Sequence, residues 1–152
     1  RGHSAECSRD ALARLAKSAP QVEVAVHLIF GTPVDPIEIA RKTAENLNHF
    51  GVAGVKLHQL MVLENSDLAT RFRREPFTLP SLEEYTRQVA EFLNHLAPNV
   101  YVERLAATAT HPEECLAPEW SRRRWGPHNE MRKTLEALGC RQGRLYLSDS
   151  LQ

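Results

Sequence analysis

Two apolar runs, VEVAVHLIF at residues 22–30 and VAGVKLHQLMV at residues 52–62, are separated by a segment that carries the start signals of a helix. Asp35 stands as N-cap, Pro36 at the first helical position and Glu38 three residues after the cap. Ile37, Ala40, Ala44 and Leu47 recur at helical spacing through Asn48, and Gly51 can take the left-handed conformation that closes a helix. Strand, capped helix, strand is a βαβ unit. The two strands are therefore expected to be adjacent, parallel and buried on both faces, with the helix crossing one face. This constrains the chain to the α/β class.

The remaining pattern adds elements around that unit. Residues 8–17 predict a helix with Leu12, Leu15 and Ala16 on one side, and 66–74 a short one. Ser81-Leu82-Glu83-Glu84 is a capping box that opens a helix to Leu96, with Leu82, Tyr85, Val89, Phe92 and Leu96 on its apolar side. Residues 100–105 read as a strand, 106–118 as irregular, 127–138 as a helix closed by Gly139, and 144–147 as a last strand. No repeat or low-complexity tract is present. At 152 residues the chain is long enough for one domain with its own core.

Charge removes several function classes. Lys+Arg and Asp+Glu both number 19, so the net charge is zero and there is no diffuse basic field for nucleic acid or anionic lipid. A local patch, Arg122-Arg123-Arg124 between Trp120 and Trp125, reads either as a solvated or ion-paired cluster or as a grip on phosphates and bases. No apolar run approaches the roughly 20 residues of a membrane span. The opening RGHSAECSRDALARL lacks the apolar region of a signal peptide, so the expected address is the cytoplasm. Cys7, Cys115 and Cys140 are far apart, and no pair has the spacing of a compact metal site; no metal ligand is assigned.

The residues with chemistry lie in the strands. Alternation puts Ala25, His27 and Ile29 on one face of the first strand, and Lys56, His58 and Leu60 on one face of the second. One reading has His27, Lys56 and His58 pointing into one cavity, where an ammonium requires a polar interior, a bound anion or an acidic partner. The other has Lys56 snorkelling to an edge and both histidines satisfied in the core. Glu103 and Arg104 sit side by side in a short strand, so alternation sends them to opposite faces. Glu103 is the acidic residue expected to meet Lys56. No P-loop, GxGxxG, GxSxG or HExxH motif is present, and without a visible nucleophile–base pair a small α/β hydrolase is the weaker alternative.

The order HLIFGTP, GVKLHQLMVL, SLEEYTRQVAEFLNHLAPNVYVERL and LAPEWSRRRW resembles the carboxyl-terminal half of a radical SAM protein of the YhcC-like group, distantly similar to Elp3-like and coproporphyrinogen-oxidase-like members. The resemblance implies the C-terminal part of a partial (β/α)6, TIM-like barrel, residues 1–63, followed by an α/β C-terminal extension, residues 64–152. The opening Arg1-Gly2-His3 is similar to the segment after the group's fourth strand. By the same resemblance His27, Ile29 and Gly31 fall where the fifth-strand motif helps to hold adenine, and Leu60, Met61 and Val62 where the segment after the sixth strand meets it. Lys56 and His58 match a KxH of the group and, with Glu103, are the cavity candidates for catalysis. The group usually reads GLPGE where this chain has Gly31-Thr32-Pro33-Val34-Asp35, so the adenine-side loop is altered.

The parent enzyme implied by the resemblance binds S-adenosylmethionine on a [4Fe-4S] cluster, cleaves it reductively to a 5′-deoxyadenosyl radical, and abstracts hydrogen from a substrate. This chain has no CxxxCxxC, so it cannot hold the cluster in the group's way, and neither cofactor is expected to bind tightly to it. The expected partner is then the missing N-terminal half of the barrel, and the Arg-Trp patch admits RNA as a substrate class. The rival reading is a non-enzymatic half-barrel module that binds a protein or RNA partner, with Trp120 and Trp125 both exposed.

Overall fold

The computed structural model describes residues 4–33 and 36–147. Its centre is a three-stranded parallel sheet in the order β1-β2-β4: β1 Ala25–Phe30, β2 Gly54–Gln59 and β4 Tyr101–Arg104. Between β1 and β2 runs α2, Ile37–Phe50, closed by Gly51 at φ 62°. The expected βαβ unit is therefore present, with its strands parallel neighbours in the register His27↔Lys56 and Ile29↔His58. Pro36 takes the N-cap position, one residue earlier than its expected first-turn place. Asp35, and the opening Arg1-Gly2-His3, lie outside the described residues.

Helix α4, Leu82–His95, packs beside α2 on the same face of the sheet. Ser81 and Glu84 make both hydrogen bonds of the capping box, which is why the helix starts where it does. Between sheet and helices lie Phe30, Val55, Leu57, Tyr85, Val89, Phe92 and Leu96, all buried, with Phe30 edge-on to Phe92 at 5.3 Å. Ala40 and Ala44 let α2 approach closely, and both are fully buried. Asn48 joins the two helices: its amide donates to the His95 carbonyl and its oxygen accepts from Ala97 N–H, each at 2.8 Å. Gly54 is required because the Tyr101 ring lies across it, and a Cβ there would come within 2.1 Å of that ring.

Both strand expectations overshoot. Chain 22–24 does not join β1; the Val24 carbonyl accepts from Ala53 and Gly54 at the entrance of β2. The second run ends at Gln59, and β3, Val62–Leu63, leaves to pair antiparallel with β5, Cys115–Ala117. Part of the stretch expected to be irregular is thus a strand flanked by short 3₁₀ turns at Pro112–Glu114 and Glu119–Arg122. Burial on both faces is also corrected: Ala25, His27 and Ile29 are exposed, because helices cover only the other side.

The other elements are α1, Ala5–Ser18, which has no buried residue; α3, Asp67–Arg74, capped by Ser66; and α5, Gly126–Ala137. Residues 144–147 are not a strand. Gly143 and Leu145 donate instead to the Leu93 and Asn94 carbonyls near the end of α4, so this segment's backbone bonds go to a helix terminus. The sheet itself spans residues on either side of position 63, since β4 pairs with β2. None of the described helices is long and apolar enough to cross a membrane.

One buried polar side chain ties the sheet to the loop after β4. Gln59, 2% exposed, donates to the Ala107 carbonyl at 2.6 Å and the Ser121 hydroxyl at 2.7 Å, and accepts from Ala107 N–H at 2.9 Å. Gln59→Leu keeps the volume but strands those groups, at about 1–3 kcal/mol for each one left unpaired. We expect a lower urea midpoint at unchanged denaturant slope. An unaltered midpoint would show that the loop repacks without this link.

Candidate functional site

The open face of the sheet collects the titratable side chains. His27 and His58 lie on neighbouring strands with ring centroids 5.7 Å apart. With Ile29, Leu60, Met61 and Arg104 they line a cavity of about 450 Å³ at the carboxyl ends of β1 and β2. Ligands of open α/β sheets bind at that end. Ile29 is 41% exposed, an apolar side chain held in the open by the strand's alternation.

β4 departs from alternation. Its register with β2 shifts between Val55 and Lys56, so Val102 and Arg104 are consecutive partners and Glu103 is the extra residue. A bulge can place two successive side chains on one side, and here Glu103 meets Lys56 while Arg104 enters the cavity. The expectation that this pair would divide between the faces fails for that reason. Lys56 Nζ lies 3.2 Å from Glu103 Oε2, with both side chains more than a third exposed. Solvent screens such a pair, which contributes at most about 1 kcal/mol. Lys56 therefore escapes the cost of a buried ammonium by reaching both water and a carboxylate. The pair sits on the same face as the cavity but does not line it.

Two other expected residues lie outside the cavity. Gly31 is buried, and its N–H donates to Gln88 Oε1 at 3.1 Å, so the amide hydrogen is already engaged. Val62 is fully buried in β3. Leu60 N–H donates to the Phe30 carbonyl at 2.8 Å, leaving its side chain and Met61 to form the rim.

His58 has a defined chemical state. Nδ1 lies 2.6 Å from the Gln59 carbonyl oxygen, which can only accept, so Nδ1 carries a proton. Burial pushes the imidazole below its usual 6.5; the Gln59 bond opposes that, and the Arg104 and His27 charges reinforce it. In the neutral ring Nε2 is then a hydrogen-bond acceptor. Arg104 is itself held by donation from Nε to the Leu57 carbonyl at 3.3 Å. Sequence signals missed Gln59, a polar residue in an apolar run whose partners lie 48 and 62 positions away. They also missed His111 and Glu114, which join the wall from the loop before β5.

The Radical_SAM C-terminal domain model matches residues 52–137. The chain belongs to that family. Protein YhcC of Escherichia coli K12 is 32% identical over 141 residues, which are 91% of this chain and 44% of that protein. YtqA of Bacillus subtilis 168 is 26% identical over 147 residues, 96% of this chain and again 44% of the relative. The chain thus spans less than half the length of these relatives. Elp3 of the archaeon Methanocaldococcus infernus, with residues 1–46 deleted, superposes with a TM-score of 0.74 at 22% identity, over 93% of this chain and 33% of that one. At that identity the likeness is one of fold.

Radical SAM chemistry uses a cluster held by three thiolates, and the cysteines of this chain do not fit one. Cys7 is exposed on α1, Cys115 buried in β5 and Cys140 half-buried after α5. Burial pushes the Cys115 and Cys140 thiols up, away from the thiolate a metal requires. Among the described residues no three His, Cys, Asp or Glu side chains converge as a metal site. The His27 and His58 rings, tilted 45° to one another, instead line the strand-end cavity beside the exposed Ile29.

A folded imidazole held below 6.5 favours the neutral form, so its stabilisation is complete above 6.5 and is lost over the interval from 6.5 down through the lower folded-state pKa. The His58 ring resonances should titrate with a midpoint below 6.5. The wild-type chain should lose more stability on acidification across that interval than His58→Gln. A midpoint above 6.5 would mean that Arg104 and burial do not govern this ring.

Proposed function

We propose that this chain forms the final wall of a radical SAM barrel, residues 1–63, and its C-terminal extension, residues 64–152, with β4 of the extension continuing the barrel sheet. The observation that carries the reading is the cavity at the strand ends, where His27, His58 and Ile29 meet the Leu60–Met61 rim. S-adenosylmethionine and a [4Fe-4S] cluster held by an N-terminal half of the parent enzyme would supply reductive cleavage of the sulfonium and hydrogen abstraction from substrate.

This chain's part is to bind and orient. Ile29 and the two imidazoles offer a surface for the adenine ring, and His58 Nε2 an acceptor for its amino group. Arg104 gives a cation at the same cavity, fixed in place by its bond to the Leu57 carbonyl. Lys56 and Glu103, one step along the open face, form the side of the interior on which a polar substrate would rest. Screening by water keeps that pair exchangeable, so an incoming anion or cation can take over either partner.

The isolated 152-residue chain, reconstituted anaerobically with iron and sulfide, should hold no four-iron cluster and leave S-adenosylmethionine intact. In a full-length parent carrying its cluster, His58→Phe should raise the KM for S-adenosylmethionine by up to roughly ten-fold, the weight of one hydrogen bond to the bound ring. Lys56→Met should still cleave S-adenosylmethionine but lose substrate modification. Unchanged KM in the first variant would remove His58 from adenine binding, and unchanged substrate turnover in the second would remove Lys56 from the substrate side.

A further inference from the structure

The Arg-Trp run that the barrel reading leaves unused forms a second cavity, of about 460 Å³, beside the first. Its floor is apolar: Ala106, Ala107, Trp120 and Pro127. Trp120 is 9% exposed and its indole N–H is spent on the Pro80 carbonyl at 3.1 Å, so it offers only its ring. Trp125, in contrast, is 77% exposed at the start of α5, so the two tryptophans do not share the exposure that the non-enzymatic reading expected. An indole left in water is an apolar surface of the size that binding sites use.

The three arginines of the run have different fates. Arg122 donates to the Cys115 and Leu116 carbonyls and is part of the β5 structure. Arg123 is paired with Glu130. Arg124 has no carboxylate partner among the described residues; its guanidinium lies 5.5 Å from the Trp125 ring centroid. A cation beside an exposed aromatic face, above an apolar floor, is complementary to a planar ring that carries a nearby anion. His128 and Asn129 add hydrogen-bonding groups at the rim. The volume suits one small molecule, whereas a protein interface needs about 800 Å² from each partner and more apolar surface than one indole.

The two cavities share Ala107 and Thr108. Gln59 holds both backbone groups of Ala107, so the partition between them is anchored to the end of β2. We propose that the Trp125–Arg124 cavity is a subsite for one nucleotide unit, its base stacked on Trp125 and its phosphate on Arg124, which presents a nucleotide-bearing substrate next to the strand-end cavity. Its placement as a substrate subsite rests on the barrel reading; the binding itself does not. The nucleotide is either free or one unit of a single strand.

Tryptophan fluorescence of the 152-residue chain tests this, since Trp120 and Trp125 both line the cavity and the Trp125→Phe variant separates their signals. Guanosine 5′-monophosphate should quench saturably at millimolar concentration or below. Guanosine and ribose 5-phosphate, each with half of the recognised group, should bind roughly ten-fold more weakly or not at all. Arg124→Ala and Trp125→Ala, read by calorimetry, should each weaken binding roughly ten-fold, while Trp125→Phe keeps most of it. A short single-stranded oligoribonucleotide that binds tighter than the monophosphate assigns the source to a strand; the reverse assigns it to a free nucleotide. The absence of saturable binding by both, ribose 5-phosphate binding as well as the monophosphate, or indifference to both alanine variants overturns the proposal. Histidine resonances keep the two readings apart. The monophosphate should leave His27 and His58 unmoved, so a failure at Trp125 says nothing against adenine at the strand-end cavity.

Discussion

Parallel strands joined by crossover helices normally have both faces covered, and among the described residues of this chain helices cover only one. On that side α2 and α4 seal Phe30, Val55, Leu57, Val89 and Phe92 from water. The other side carries His27, Lys56, His58, Glu103 and Arg104 in place of a second hydrophobic layer. One-sided packing therefore does two things. It supplies the burial that holds the chain together, and it leaves a rigid polar surface whose side chains are positioned by strand geometry and not by a flexible loop.

Polar side chains finish what apolar packing begins. Asn48 locks α2 to the end of α4, Gln142 donates to the Ala97 and Val100 carbonyls, and Gln59 fastens the 105–109 loop to the sheet. Tyr85, buried beneath Trp120 with its hydroxyl on the Leu105 carbonyl, does the same from the helix side, and burial pushes its phenol well above the usual range. Each of these groups has partners, and no buried side-chain nitrogen or oxygen among the described residues lacks one. The loop that Gln59 and Tyr85 hold forms the boundary between the two cavities, so these two bonds from the core also fix the site.

With less than half of its relatives' length present, the chain has the strand-end cavity and its imidazoles but not the thiolate set of the cluster. The strand-end surface depends on the helices behind it, since α2 and α4 hold the strands whose open side carries the imidazoles.

Local patterns determined the parts of this protein that depend on nearest neighbours. Helical periodicity and caps located α2, α3, α4 and α5 to within a residue or two, and the βαβ order by itself implied parallel strands. Strand alternation correctly put His27, Lys56 and His58 on one face. Tertiary structure alone decided what depends on distant chain. The Glu103 bulge turned Arg104 inward through a register set by β2, and the tail's amides went to the carbonyls ending α4 in place of a sheet. Val62 left the sheet for β5, more than 50 residues away. Gln59 and Ala107 likewise became partners only once the chain closed on itself, since a hydrogen bond between residues 48 positions apart has no signature in either neighbourhood.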